Sequence, residues 1–182
     1  MNEIASKGQL WMALARRALF TVPIMVFLGF LSGRMAGSGW NNRWFQMLDK
    51  PAIVPPGWVF GTVWTILYIM MGLSLALALS ARGARLRWPA VALFIVQFIL
   101  NLIWSPLFFA QHQVTLALYL ILIIALLVAI TILLLWRVRV AAAVLLLPYL
   151  AWLGFASWLN FQIDQRNPYA ETLVVPTWGT QI

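Results

Sequence analysis

Hydrophobic and polar positions in this chain come in long blocks rather than mixed. From Trp88 to Trp136 there is no Asp, Glu, Lys or Arg, and a single His near the middle. Crossing about 30 Å of hydrocarbon takes roughly 20 apolar helical residues. The block therefore predicts two spans joined by a very tight turn at Gln111-His112-Gln113. The remaining charges delimit three further apolar regions, Arg17 to Arg34, Lys50 to Arg82 and Arg139 to Asp164. Together these predict five helices, over about residues 18–36, 58–80, 89–110, 114–136 and 140–163.

The spans are rich in Leu, Ile, Ala and Val and lack the strict alternation and frequent turns of outer-membrane strands. The expected fold class is an all-α integral membrane protein, a five-transmembrane-helix bundle. Residues 1–17 read as an N-terminal extension, 18–166 as the membrane domain and 167–182 as a C-terminal tail. Pro168, Pro176 and Gly179 make that tail an expected unstructured extension without a site. Lys7, Arg16 and Arg17 ahead of the short apolar core Ala18 to Leu31 also resemble a signal peptide. Against that, Ser32-Gly33-Arg34-Met35-Ala36-Gly37 offers no clean small-x-small cleavage site. The spacing Gly29, Gly33, Gly37 reads as a close-packing helix face, within the bundle or toward a dimer partner.

Composition agrees with this picture: 64% of residues are hydrophobic and 9% charged, against roughly 25% charged in soluble domains. A net charge of +8 would suit nucleic acid, but the basic residues are scattered over short loops rather than gathered on one soluble face. No nucleic-acid partner is expected. Eight of the twelve Lys and Arg fall in the N-terminus and the second and fourth loops, and four in the first and third loops and the tail. The positive-inside rule then favours a cytoplasmic N-terminus and an external C-terminus.

The chain has no Cys, which excludes disulfides, thiolate nucleophiles and iron–sulfur clusters. Its four acids, Glu3, Asp49, Asp164 and Glu171, lie at or beyond span ends. No mid-membrane carboxylate is available to relay protons or bind a coupling ion, which argues against an ion-coupled transporter. His112, the only imidazole, could ligate a metal, but its place in the turn reads as a solvated turn residue. Neither a metal site nor a bound cofactor is expected.

Aromatic and amide chemistry remains. Phe60, Trp64 and Tyr68 recur every four residues and share a helix face continued by Gly72. Gln97, Asn101, Trp104 and Phe108 share a second; Tyr149, Trp152, Ala156 and either Leu159 or Asn160 share a third. Amides facing lipid would be left unpaired, so Gln97, Asn101 and Asn160 should point inward, either toward a ligand or as interhelical glue. Trp40, Trp44, Trp58, Trp88 and Trp136 read as an interfacial belt. Trp64, Trp104 and Trp152 lie deeper and suit either a pocket or simple packing. The loop 38–57 is the longest connection, stiffened by Pro51, Pro55 and Pro56. Carrying Trp44, it is a candidate lid.

The run Trp44-Phe45-x-x-Leu48-x-Lys50-Pro51-x-x-x-Pro55-Pro56-x-Trp58-Val59-Phe60-x-x-x-Trp64-x-x-x-Tyr68 resembles the translocator protein (TspO, peripheral benzodiazepine receptor, TspO/MBR) family. So do Gln97-x-x-x-Asn101-x-x-Trp104-x-Pro106-x-Phe108-Phe109 and Pro148-Tyr149-Leu150-Ala151-Trp152-x-x-Phe155-Ala156-x-x-Leu159-Asn160-Phe161. The resemblance implies a five-helix bundle, usually a homodimer, whose lidded cavity binds porphyrins such as protoporphyrin IX and, in animal members, sterols and drugs. Carried over by motif, the cavity residues are Phe60, Trp64, Tyr68, Asn101, Trp104, Trp152, Phe155, Ala156 and Leu159. Two departures stand out. Ile53 replaces the Trp usual shortly after Lys50-Pro51, and the sterol-type motif Leu159, Phe161, Arg166 lacks its Tyr hydroxyl.

Four functions follow as alternatives. The first is a tetrapyrrole receptor or carrier for sensing, sequestration or transport. The second is a light-dependent porphyrin-degrading catalyst using Trp64 and Trp152, since the cavity offers no acid, base or nucleophile for other chemistry. The third is a membrane scaffold and the fourth a multidrug-type exporter. The N-terminus does not read as an organelle transit peptide, which favours a bacterial cell membrane over the mitochondrial outer membrane.

Overall fold

The computed structural model describes residues 6–174, and among these every regular element is helical. The chain runs α1 (Lys7–Met35), a short α2 (Arg43–Met47), α3 (Gly57–Ser80), α4 (Arg87–Ser105), α5 (Val114–Val138) and α6 (Val140–Arg166). A π-helical turn, Pro106–Ala110, prolongs α4, and a 3-10 turn, Ala170–Thr172, follows α6. Among the described residues, five helices are long and apolar enough to cross a membrane: Gly8–Met35, Gly57–Ser80, Arg87–Ala110, Val114–Val138 and Val140–Arg166. At 24 residues or more and about 1.5 Å per residue, each exceeds the hydrocarbon thickness.

The first helix begins well before the expected residue 18. Ser6 accepts from the Gln9 backbone N–H while the Gln9 side chain accepts from the Ser6 N–H, closing a capping box. Arg16 and Arg17 therefore lie within α1, and the extension expected over 1–17 is helical from Lys7. Charge marks the edge of the apolar slab, not the end of backbone hydrogen bonding. Arg17 Nη1 donates to Ser80 Oγ at 2.9 Å, tying α1 to the end of α3.

The helices close a ring: α1 packs on α3, α3 on α6, α6 on α5, α5 on α4, and α4 back on α1 and α3. Small residues set the closest approaches. A side chain on Gly72 would meet Val22 Cα at 2.6 Å, and one on Gly29 would collide with the Tyr68 ring. Hydroxyls add cross-links where the backbones come near: Thr21 Oγ1 donates to the Gly72 carbonyl at 2.7 Å and Ser74 Oγ to that of Ala142 at 2.8 Å. Arg139 alone, in extended backbone, separates α5 from α6. The interior is built from Met71, Phe94, Ile124, Leu146 and Tyr149, all buried, whereas Leu19, Phe27, Leu126 and Leu133 face outward, as a lipid-solvated surface requires.

Candidate functional site

Two helix faces meet as an aromatic ladder. α3 presents Phe60, Trp64 and Tyr68, and α6 runs past it in the opposite sense with Trp152 and Tyr149. Phe60 and Trp152 touch edge to face at 5.6 Å between centroids, and Trp64 and Tyr149 at 6.2 Å. Trp64 also stacks on Tyr68 at 5.3 Å. Phe155 extends the ladder from Trp152 at 5.4 Å, and Ala156 packs against the same core. Residues three and four apart on each helix place these rings on successive turns.

α4 supplies the polar edge. Tyr68 Oη donates to Asn101 Oδ1 at 3.3 Å, with both residues buried. Gln97, one turn away, is fully buried and neither amide atom has a hydrogen-bond partner. Trp152 Nε1 is likewise buried without a hydrogen-bond partner among the described residues, whereas the buried Tyr149 hydroxyl has the Asn101 side chain as its polar neighbour. Asn160 is buried on the α5 side. With its amide oriented to suit its surroundings, it donates to the Val114 carbonyl at 3.2 Å and accepts from the Leu118 N–H at 3.0 Å. That amide joins helices; the Gln97 amide does not.

A second aromatic cluster lies at the loop end. Trp104 packs on both clusters, stacks on Phe108 at 5.1 Å and donates its indole N–H to the Ala117 carbonyl at 3.0 Å. Leu159 is a buried member of this cluster, against which Phe60 and Phe155 also pack. Pro106 has no N–H to continue the ladder, and the widened turn carries Phe108 and Phe109 against Phe45 at 6.2 and 5.4 Å. His112 takes a left-handed φ of 59°, uncommon for a non-glycine residue, and lets a short connection reach α5.

The first loop seals this end. Trp44, placed in an interfacial belt by sequence, is instead only 1% exposed. It stacks on His112 at 4.4 Å and donates its N–H to the Ala170 carbonyl at 2.9 Å. His112 is accordingly half-buried rather than a freely solvated turn residue, and burial holds its imidazole below the ordinary value. Trp58, Trp88 and Trp136 are exposed, while Trp40 donates to the Pro55 carbonyl at 3.1 Å. Pro51 is buried and Pro56 starts α3. Lys50 Nζ donates to the carbonyls of Phe45, Gln46 and Leu48 at 2.7, 3.2 and 2.6 Å, locking the end of α2. Burial pushes its pKa down, with the Asp49 carboxylate opposing that shift. Ile53 is 59% exposed and belongs to neither cluster.

The stretch after Arg166 is ordered as far as the described residues extend, contrary to the expected unstructured tail. Asn167 exchanges hydrogen bonds with the Asp49 backbone, 2.8 Å in each direction. Glu171 accepts from the Thr115 backbone N–H and Asp164 from the Thr115 hydroxyl, at 3.3 and 2.7 Å. Pro176 and Gly179 lie outside the described residues. Of the glycines expected as a helix face, Gly29 receives the Tyr68 ring. Gly33 lies beside Ser38, and Gly37, at φ 60°, forms the turn after α1.

The spacing puts Gln97 and Tyr149 on the same faces as Asn101 and Trp152, and both stand in the blocks that carry the family resemblance, but neither is among the cavity residues it implies. Their signal is burial, which only the fold reveals. The tail contacts have no sequence signal beyond the polar residues that make them.

A family model described as the TspO/MBR family matches residues 20–166. The chain is 42% identical over 157 residues to the tryptophan-rich protein TspO of Chlorobaculum tepidum, covering 84% of this chain and 99% of that one. It is 37% identical over 153 residues to the translocator protein of Homo sapiens, covering 80% and 90% respectively. To the tryptophan-rich sensory protein of Cereibacter sphaeroides it is 33% identical over 126 residues, covering 69% and 78%.

Proposed function

This chain belongs to the TspO/MBR family, and from that premise we propose that it is a membrane receptor or carrier for tetrapyrroles such as protoporphyrin IX. The ligand enters the aromatic box between α3, α4 and α6, under the first loop, for sensing, sequestration or transport. The observation that carries this reading is the ladder of Phe60, Trp64, Tyr149 and Trp152 with unpaired polar atoms set into it. Flat aromatic faces suit a tetrapyrrole ring, and a few placed polar groups orient it. Plain packing would leave those polar atoms as an uncompensated cost of about 1–3 kcal/mol each. The names of two relatives, a sensory protein and a translocator, fit a binding role that is read out or moved on. A bacterial cell membrane, a homodimer and a sterol as an additional ligand belong to the same proposal.

The test is a protoporphyrin IX titration of the detergent-purified protein, followed by tryptophan quenching, with Trp64→Phe and Asn101→Ala beside the wild type. Saturable quenching that weakens in both variants is the expected result, with both proteins still folded and Asn101→Ala melting somewhat lower because the Tyr68 hydroxyl loses its partner. Quenching that never saturates in the wild type removes the tetrapyrrole reading and leaves a scaffold.

A further inference from the structure

Charge is divided unequally between the two ends of the bundle. α1 and α3 run in opposite senses, because Arg17 meets Ser80, Thr21 the Gly72 carbonyl and Gly29 the Tyr68 ring. The start of α1 therefore lies beside the end of α3. The bond from Ser74 Oγ to the Ala142 carbonyl brings the start of α6 to the same end. Every element that arrives there carries arginine: Arg16 and Arg17 in α1, Arg82, Arg85 and Arg87 at the α3–α4 connection, Arg137 and Arg139 at the α5–α6 connection. Among the described residues no Asp or Glu stands at this end. At the opposite end Arg34, Arg43, Lys50 and Arg166 share the surface with Asp49, Asp164 and Glu171, and Arg166 pairs with Asp49 at 3.9 Å. Seven arginines thus face no carboxylate at one end, whereas four cations meet three carboxylates at the other.

Arg17 is engaged by Ser80, and Arg87 lies over the Trp88 ring at 4.7 Å. The remaining five, Arg16, Arg82, Arg85, Arg137 and Arg139, are exposed. Trp88 and Trp136, also exposed, adjoin Arg87 and Arg137, as interfacial indoles do. Beyond Arg16, α1 continues outward with exposed Leu10, Trp11 and Met12. From Leu10 to Met35 the helix is about 39 Å long at 1.5 Å per residue, close to the roughly 40–45 Å of a bilayer with its headgroups. The arginines therefore sit at headgroup depth. Topological bias is served equally by lysine, yet every cation at this end between residues 8 and 166 is arginine, whose planar guanidinium grips phosphate through two parallel hydrogen bonds. We propose that this end binds anionic phospholipids of the phosphatidylglycerol type, whose headgroup phosphates supply the counter-charges that the chain itself lacks. A zwitterionic headgroup carries its own cation and leaves the excess of arginine unbalanced. Nucleic acid would need that charge on a soluble face, but here it rings helix ends among indoles and apolar side chains. The surface is independent of whatever occupies the aromatic box.

The experiment reconstitutes the full chain in phosphatidylcholine vesicles. Spin-labelled lipids with the same acyl chains then report how strongly phosphatidylglycerol is preferred over phosphatidylcholine at the protein surface. The expected preference at low salt is about fivefold, the effect of one basic residue near an anionic surface. It should shrink in about 1 M salt, where the screening length is about 3 Å. Arg82→Gln with Arg85→Gln, and Arg137→Gln with Arg139→Gln, should each lower the preference about twofold or more. Both pairs are exposed, so melting temperatures should stay near wild type, and single substitutions replace any pair that fails to fold. Arg34→Gln, at the opposite end, should leave the preference unchanged. No preference in the wild type, a preference that survives both pairs, or an equal loss in Arg34→Gln would overturn the proposal. Inorganic phosphate that abolishes the preference at constant ionic strength would overturn it too, because the surface would then hold a free anion rather than a lipid.

Discussion

The loop end of the bundle and the box between α3 and α6 are built from the same residue types and solve opposite problems. At the loop end, Trp40, Trp44 and Trp104 each hand the indole N–H to a backbone carbonyl, and Lys50 spends its ammonium on three more. In the box, Tyr149 and Trp152 sit against Trp64 and Phe60, and among the described residues neither the Trp152 indole N–H nor the Gln97 amide finds a partner. An aromatic cluster alone therefore does not mark a binding site. The hydrogen-bond ledger separates a sealed end, whose rings hold chain segments together, from the face at which we propose the ligand binds.

Substitutions should break this contrast in graded ways. The largest effect is expected from Trp44→Ala. It empties a fully buried indole site and frees both the first loop and the tail, so about 3–5 kcal/mol of stability should be lost. Thermal unfolding in detergent checks this; an unchanged melt would mean the loop end is not held by its rings. Next comes Trp104→Phe, which keeps a ring on Phe108 but shrinks a half-buried side chain and gives up the indole bond to the Ala117 carbonyl. A cost of about 1–3 kcal/mol is expected in the same melt.

Asn167→Ala is smaller, since its bonds to the Asp49 backbone are exposed. About 0.5–1.5 kcal/mol is the upper range for such bonds. The effect should be local, seen as faster hydrogen exchange at the Asp49 amide with the spans unaffected.

The smallest effect concerns pH. Burial holds the His112 imidazole below its ordinary value, so the unfolded chain binds this proton more readily than the folded one. Stability contributed by neutral His112 is present above the ordinary imidazole value of about 6.5 and falls as pH drops below it. The fall ends once the folded form is itself protonated. A shallow decline in melting temperature below about pH 6.5, absent in His112→Gln, is the expected pattern. A decline of the same slope in both proteins would trace it to another group.

These predictions rest unequally on what the sequence made legible. The spans could be read because hydrocarbon forbids unpaired backbone and charge, so the uncharged block from Trp88 to Trp136 had few alternatives. The start of α1 could not, because Ser6 and Gln9 continue a helix beyond the membrane edge, and helix formation does not require apolarity. Within the site, the four-residue rhythm of Phe60, Trp64 and Tyr68 identified a shared face. The same rhythm could not distinguish Trp104 from Trp152, because the difference lies in whether a carbonyl from another helix comes within reach. Trp44 was illegible for a related reason. Its partners, His112 and Ala170, are far along the chain, and nothing local marks them.

The most direct test sets the two indoles side by side, measuring protoporphyrin IX affinity and melting temperature for Trp104→Phe and Trp152→Phe under identical conditions. The account predicts that Trp152→Phe loses about tenfold in affinity with the smaller drop in melting temperature, while Trp104→Phe, which also gives up a hydrogen bond, loses more stability. Equal behaviour of the two variants, or a Trp152→Phe protein that melts lower and binds porphyrin as well as wild type, would contradict it.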